Sequence, residues 1–146
     1  MENIGAERLR TLRTRLLSMA AVRSDRRVNE ELARAGARKW HYAVLAALDE
    51  SGPASQAQLS DRTGIYRSDL VAVITELTER EQVSRAPDPA DRRRNLIELT
   101  PTGRHQLHHL DTILAAVDDE VFAPLSPEQR EQLSRLLTLM LDPPAS

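Results

Sequence analysis

Between Gly52 and Gly103 the chain is punctuated so closely that few arrangements can accommodate it. Gly52-Pro53-Ala54 breaks the backbone, and Ser55-Gln56-Ala57-Gln58 follows with the spacing of a capping box, Ser55 as cap and Gln58 three residues on. A short helix is expected from there to Thr63-Gly64, where Gly64 can take the positive φ that closes a helix before a tight turn. A second helix is predicted from about Arg67 to Gln82. Leu70, Val73, Ile74 and Leu77 share one face of it at helical spacing, while Ser68, Ala72, Thr75 and Glu79 fall on the other.

The stretch after these helices changes period. Val83-Ser84-Arg85-Ala86-Pro87 reads as a strand, Asp88-Pro89-Ala90 as turn chemistry, and Leu96, Ile97 and Leu99 as the returning strand. Thr100-Pro101 then supplies a cap and a first-turn proline for a further helix. The hairpin tip carries Asp91 and the run Arg92-Arg93-Arg94, which suits a phosphate backbone or a narrow minor groove; a charge run that merely solvates a loop is the bland alternative. Two short helices joined by a glycine turn and followed by a basic hairpin describe a winged helix-turn-helix, whose second helix enters the major groove.

With these motifs in place the chain resembles the MarR-type transcriptional regulators over nearly its whole length. The family pattern in the wing, Asp-x-Arg followed by an apolar position and Leu-Thr-x-x-Gly-Arg, is met by Asp91, Arg93, Ile97, Leu99, Thr100, Gly103 and Arg104. Val44-Leu45-x-x-Leu48, Gln58-Leu59-x-x-Arg62-Thr63-Gly64 and Leu125-Ser126-Pro127-Glu128 are similar too. The resemblance implies an obligate homodimer that binds a near-palindromic operator. It also implies release by a small molecule bound between the dimerisation and DNA-binding parts. Two positions depart from the pattern: Arg38-Lys39 stands where the family has a Ser or Thr cap followed by proline, and Tyr66 where a short capping residue opens the recognition helix. Tyr66 is therefore expected either on a sugar-phosphate edge or packed back on the turn.

The ends of the chain call for a partner. Leu9, Leu12, Leu16 and Met19 make one apolar stripe; Leu107, Leu110, Leu114, Val117 and Val121 make a second; Leu133, Leu136, Leu137 and Met140 make a third behind the cap Ser126, with Pro127 and Gln129. Nothing else in the chain covers them, so pairing with a second copy is expected. The fold class is α+β, mostly α: one domain over 1–146, with a winged helix-turn-helix at 37–104 and dimerisation helices at 1–36 and 105–146.

A net charge of −2 is unusual for a nucleic-acid binder, but its distribution is not: residues 1–40 carry +5 and 83–104 carry +2, against −4 for 41–82 and −5 for 105–146. The absence of cysteine excludes a thiol switch. No apolar run is long enough to cross a bilayer, no signal-peptide pattern is present, no glycine loop cradles phosphate, and no nucleophile has a catalytic setting. A cytoplasmic protein that is not an enzyme, with no cofactor and no membrane partner, is expected.

Two side-chain clusters remain. His105, His108 and His109 share a helix face at metal-ligand spacing, but further ligands are missing, so the reading assigns no metal site. Trp40-His41-Tyr42 is the other. Tyr42 reads as packing, whereas Trp40 and His41, beside the cationic Arg34, Arg38 and Lys39, suit a small aromatic acid. The resulting expectation is a ligand-responsive repressor. Its DNA contacts are Ser55, Gln56, Tyr66, Arg67, Ser68, Ala72 and Thr75 from the helices and Asp91, Arg92, Arg93 and Arg94 from the wing. Within that set Arg67, Ser68 and Ala72 meet base edges, Arg93 enters the minor groove held by Asp91, and Arg92 and Arg94 take phosphates. Its ligand contacts are Arg38, Trp40 and His41. The alternatives are a winged-helix interaction module without DNA binding and a metal-responsive regulator.

Overall fold

A computed structural model describes residues 6–145. They form two compact units, one made of the N-terminal stretch to Arg27 together with the chain from Ala115 onwards, the other of Val28–Leu114. The helices are α1 (Glu7–Thr11), α2 (Arg13–Arg34), α3 (Lys39–Ser51), α4 (Gln56–Thr63), α5 (Arg67–Glu79), α6 (Pro101–Val121) and α7 (Pro127–Leu141), with strands β1 (Val83–Pro87) and β2 (Asn95–Leu99) between α5 and α6. The second unit takes in the end of α2 and the first two thirds of α6 in addition to the expected winged region at 37–104.

The α5 stripe that periodicity selects lies in its core. Leu70, Val73, Ile74 and Leu77 of α5 are buried with Val44, Leu45 and Leu48 of α3, Leu59 of α4, Ile97 of β2, Leu110 of α6 and Leu32 of α2. Each such leucine or isoleucine contributes roughly 1.5–3 kcal/mol by leaving water. Helix α4 opens as expected: the Gln58 amide donates to Ser55 Oγ at 3.2 Å, and the Ser55 amide donates to Gln58 Oε1 at 3.0 Å. It closes at Gly64, whose φ of 74° lies in the left-handed region and lets its amide reach Ser60 O. Helix α5 stops at Glu79, three residues short of the expected Gln82. Glu81 takes a φ of 59°, and the chain turns as the Glu81 and Gln82 amides donate back to Thr78 O and Leu77 O. That conformation, rare for a residue with a Cβ, is held by the returning backbone bonds.

The wing pairs β1 with β2 antiparallel, Val83 opposite Leu99 and Pro87 opposite Asn95. The sheet has a further bridge: Ala54, just before α4, exchanges both backbone hydrogen bonds with Ile97, at 3.0 and 2.7 Å. The start of α6 is locked to the same place. Thr100 Oγ1 accepts from the Gly103 amide at 3.0 Å and donates to Glu81 O at 2.6 Å. Gly103 lies so close to β1 that a Cβ there would stand 2.0 Å from Gln82 O, which accounts for glycine in the Leu-Thr-x-x-Gly pattern.

The first unit is built differently. Among its described residues only Val117 is buried. Leu12, Leu16, Val22, Leu136, Leu139 and Met140 are all exposed. Its internal ties are polar: Arg27 Nε donates to Glu120 at 2.6 Å, and Arg130 reaches Phe122 O, Leu125 O and Asp119. Ser126 caps α7 with Gln129 as expected. The expected single N-terminal stripe is interrupted, since Leu12 has an extended backbone (φ −73°, ψ 113°) between α1 and α2 and takes Leu9 out of helical register with Leu16.

Candidate nucleic-acid interface

Helix α5 presents a face that the core does not use. Arg67, Ser68, Val71, Ala72 and Thr75 are exposed along it. Tyr66, at its N-cap, has a side chain 79% exposed, so it does not pack back on the turn. Its ring makes no capping bond; the helix start is served instead by Asp69 in the first turn, whose carboxylate complements the local positive dipole. Val71, outside both faces that the sequence pattern defines, joins the exposed residues. Its 48% exposure, one turn from Arg67 and Thr75, adds a branched apolar group to the reading face, the kind of contact a thymine methyl accepts.

Between this face and the wing lies a groove of 360 Å³ lined by Ser55, Gln56, Ala57, Arg67, Arg85, Arg93, Arg94, Asn95 and Ile97. Four of these are arginines and none is acidic. Arg85 projects from β1 and its Nη2 lies 3.4 Å from Thr75 Oγ1 of α5. Pairing it with the recognition helix requires the strand register, so the sequence alone gave no signal for it or for Asn95. Ser55, Gln56, Arg67, Arg93 and Arg94 are thus brought together, whereas Arg92 is exposed at the tip outside the groove lining.

The wing tip is organised around a buried acid. The Asp88 side chain accepts from the Ala90 amide at 2.9 Å and from Arg94 Nη2 at 2.9 Å, and the Asp88 amide donates to Arg94 O at 2.8 Å. The Ala90 amide first, and Arg94 after it, hold the Asp88 carboxyl below the ordinary carboxylate range. Arg94 therefore has a partner within the fold as well as a place in the groove. Asp91 holds Arg93 through the backbone, its Oδ1 accepting the Arg93 amide at 3.1 Å, and not through the guanidinium.

The second candidate cluster separates into different parts. Trp40 is 41% exposed and lines a groove of 430 Å³ with Asn29, Ala33, Ala37, Arg38 and Lys39. His41, expected beside Trp40 as a ligand contact, is 2% exposed and has both ring nitrogens engaged within the fold. Its Nδ1 accepts the Arg38 amide at 2.9 Å, and its Nε2 lies 2.5 Å from Glu76 Oε2. With Nδ1 an acceptor, the ring is neutral with its proton on Nε2, donated to Glu76. Burial lowers the His41 pKa, opposed by Glu76. This imidazole, at the third position of α3, supplies the return bond of a capping box to the Arg38 amide, where no Ser or Thr stands at the cap. Tyr42 packs against the core and donates its hydroxyl to Asp111 Oδ1 at 2.7 Å, which pushes its pKa up to about 12. His105, His108 and His109 are exposed on α6, and among the described residues no group of three or more His, Cys, Asp or Glu side chains is placed to hold a metal.

A helix-turn-helix whose second helix carries an exposed polar face, with a hydrogen-bonded basic hairpin beside it, defines a winged helix-turn-helix protein. Residues 37–94 match the MarR family. The transcriptional repressor NicR of Pseudomonas putida is 31% identical over 101 residues, 69% of this chain and 64% of NicR, so the chain spans somewhat under two thirds of that relative. The transcriptional regulator HosA of Escherichia coli O111:H- is 30% identical over 104 residues, covering 71% of this chain and 77% of HosA. The structure of the Bordetella bronchiseptica regulator BpsR, whose DNA binding is regulated by 6-hydroxynicotinic acid, superposes with a TM-score of 0.82 at 25% identity, covering 97% of this chain and all of that one. The chain belongs to the MarR family of transcriptional regulators.

Proposed function

We propose that the chain is a transcriptional repressor that acts in the cytoplasm as a homodimer on a near-palindromic operator, and that a small aromatic acid releases it. The arginine-lined groove between wing and recognition helix carries this reading, because it gathers four guanidinium groups with no acidic residue in the lining, and these, even with Arg94 also paired to Asp88 at the tip, suit phosphate and base edges. In it Arg67, Ser68, Val71, Ala72 and Thr75 face the major groove. Arg93 enters the minor groove, Arg85 and Arg92 meet phosphates, and Ser55, Gln56 and Tyr66 fix the register on the backbone.

The exposed leucines of α2 and α7 support the dimer, since a unit with so little core of its own gains one by pairing. The effector half rests on the groove beside Trp40, where an indole face and the cations Arg38 and Lys39 match an aromatic carboxylate. Repression in NicR and effector control of DNA binding in BpsR support both halves.

The test is a titration of the intact protein against a duplex selected by it from a random pool, at several salt concentrations. Affinity is expected to fall with salt as phosphate contacts release counterions. Equal binding to the selected duplex by wild type and by the Arg92→Ala/Arg93→Ala double variant would overturn the DNA-binding role of the wing.

A further inference from the structure

The proposed effector groove touches the recognition helix at one point. Arg38 lines the groove, and its Nη2 also bridges both carboxylate oxygens of Glu76 on α5, at 2.9 and 2.7 Å. Glu76 in turn meets His41 Nε2. Just past the end of α5, at its C-cap, Arg80 Nη1 donates to Gly36 O at 2.5 Å. The C-terminal half of the recognition helix is thus tied to the turn between α2 and α3 by two side chains, and one of the ties ends on a cation that lines the groove.

We propose that an aromatic carboxylate entering the groove beside Trp40 competes with Glu76 for Arg38, so that Arg38 is shared between the effector and the recognition helix. This rests on the effector reading above and names how it reaches DNA. The argument is one of geometry and partner exchange. Glu76 holds Arg38 end-on through a single nitrogen, whereas a guanidinium offers a planar two-nitrogen fork to a carboxylate that approaches it in plane. The pair is partly in solvent, with side-chain exposures of 56% for Arg38 and 35% for Glu76, so breaking it strands no charge in an apolar interior. His41 remains as a partner for the Glu76 carboxylate after Arg38 leaves, which keeps the exchange reversible and the fold intact. What is lost is one of the ties between α5 and the start of α3, while Arg80 still holds Gly36.

The exchange is tested by salicylate titration of the Trp40 emission in the intact protein, with salicylamide as the uncharged probe. In Glu76→Gln the competing carboxylate is gone. Salicylate is expected to bind roughly two- to fivefold more tightly than to wild type, the scale of one partly exposed ion pair, with salicylamide unchanged. Arg38→Gln is expected to abolish the preference for salicylate over salicylamide. Should Glu76→Gln fail to fold, Glu76→Asp, which keeps the charge but shortens the reach to Arg38, is expected to tighten salicylate in the same direction. Equal salicylate affinity in wild type and a folded Glu76 variant overturns the exchange, as does a Trp40 emission indifferent to salicylate in every variant. Tighter binding in the variant without release of DNA from wild type leaves the exchange standing and overturns the effector-released repressor instead.

Discussion

Arg94 and Asp88 face each other across the wing tip, with Arg94 Nη2 2.9 Å from Asp88 Oδ2 and the two backbones joined by the Asp88 amide to Arg94 carbonyl bond. The tip is therefore a closed loop, shaped before any duplex arrives. Asp88→Ala is expected to weaken duplex binding roughly tenfold, by loosening the loop that carries Arg93, while Asp88→Asn retains part of the affinity because its amide oxygen still accepts the Ala90 amide. The check is a duplex titration of both variants beside thermal melts that confirm the core is intact. Identical affinities for wild type and Asp88→Ala would show that the pair does not shape the interface.

Arg92 and Arg93 are adjacent but placed differently, and their losses are expected to look different. Arg93→Ala, which removes one of the four guanidinium groups lining the groove, is expected to cost about 1–3 kcal/mol on the selected duplex and to relax preference at the base pairs beneath the wing. Arg92→Ala is expected to weaken all sequences alike and reduce the salt slope by about one unit. Matching salt slopes and sequence profiles for the two variants would remove the distinction.

Gly103 has no room for a side chain, because a Cβ would sit 2.0 Å from Gln82 O, 2.8 Å from Leu99 Cδ1 and 2.9 Å from Gln82 C. Two of those atoms are backbone. Gly103→Ala is expected to destabilise the protein by about 3 kcal/mol or more, by pushing α6 off the wing. Urea denaturation measures it, and a loss below about 0.5 kcal/mol, the scale of a neutral surface change, would refute the close approach.

His41 sets a pH dependence whose sign follows from its surroundings. Burial, with Arg80 and Arg38 nearby, lowers its pKa in the fold below 6.5, against the pull of Glu76. The unfolded chain consequently binds the proton first, so the stability His41 contributes is complete above about pH 6.5 and is lost as pH falls through the lower folded value. Glu76, held below its usual range by Arg38 and His41, adds a loss in the same direction below about pH 4.5. Denaturation midpoints between pH 7.5 and 5 are expected to fall in wild type and to flatten in His41→Gln. A wild-type midpoint that rises on acidification would reverse the assignment.

The leucines left exposed by α2 and α7 predict the behaviour of the ends. Light scattering on the intact protein is expected to give a dimer, and removal of residues 126–146 is expected to give aggregation or failure to fold. A monodisperse monomer at micromolar concentration would defeat the pairing.

What could be read in the sequence is what depends on near neighbours. Ser55 with Gln58, Ser126 with Gln129, the turn at Gly64 and the α5 core stripe all act over three to seven positions, within the reach of a spacing rule. The contacts that escaped are made across folded distance. Arg85 meets Thr75 through the strand register, Ala54 joins Ile97, and His41 is paired with Glu76, 35 positions away. His41 reads as a ligand contact because it adjoins Trp40 and the cations Arg34, Arg38 and Lys39; nothing local announces that its two nitrogens are taken. The break at Leu12 carries neither glycine nor proline, so the stripe read straight through it.

The Ala54 to Ile97 bridge makes the unit a ruler. By stitching the segment ahead of α4 into β2, it joins the helix-turn-helix directly to the wing, instead of leaving two prongs on independent hinges. On the proposed reading, changes at Ser68, Val71 or Ala72 are expected to alter which bases are preferred without altering how far apart the two contacts fall. A lineage of such chains would diversify its vocabulary of sites while keeping their metre, and insertions in the DNA between the two contacts would be penalised far more heavily than substitutions.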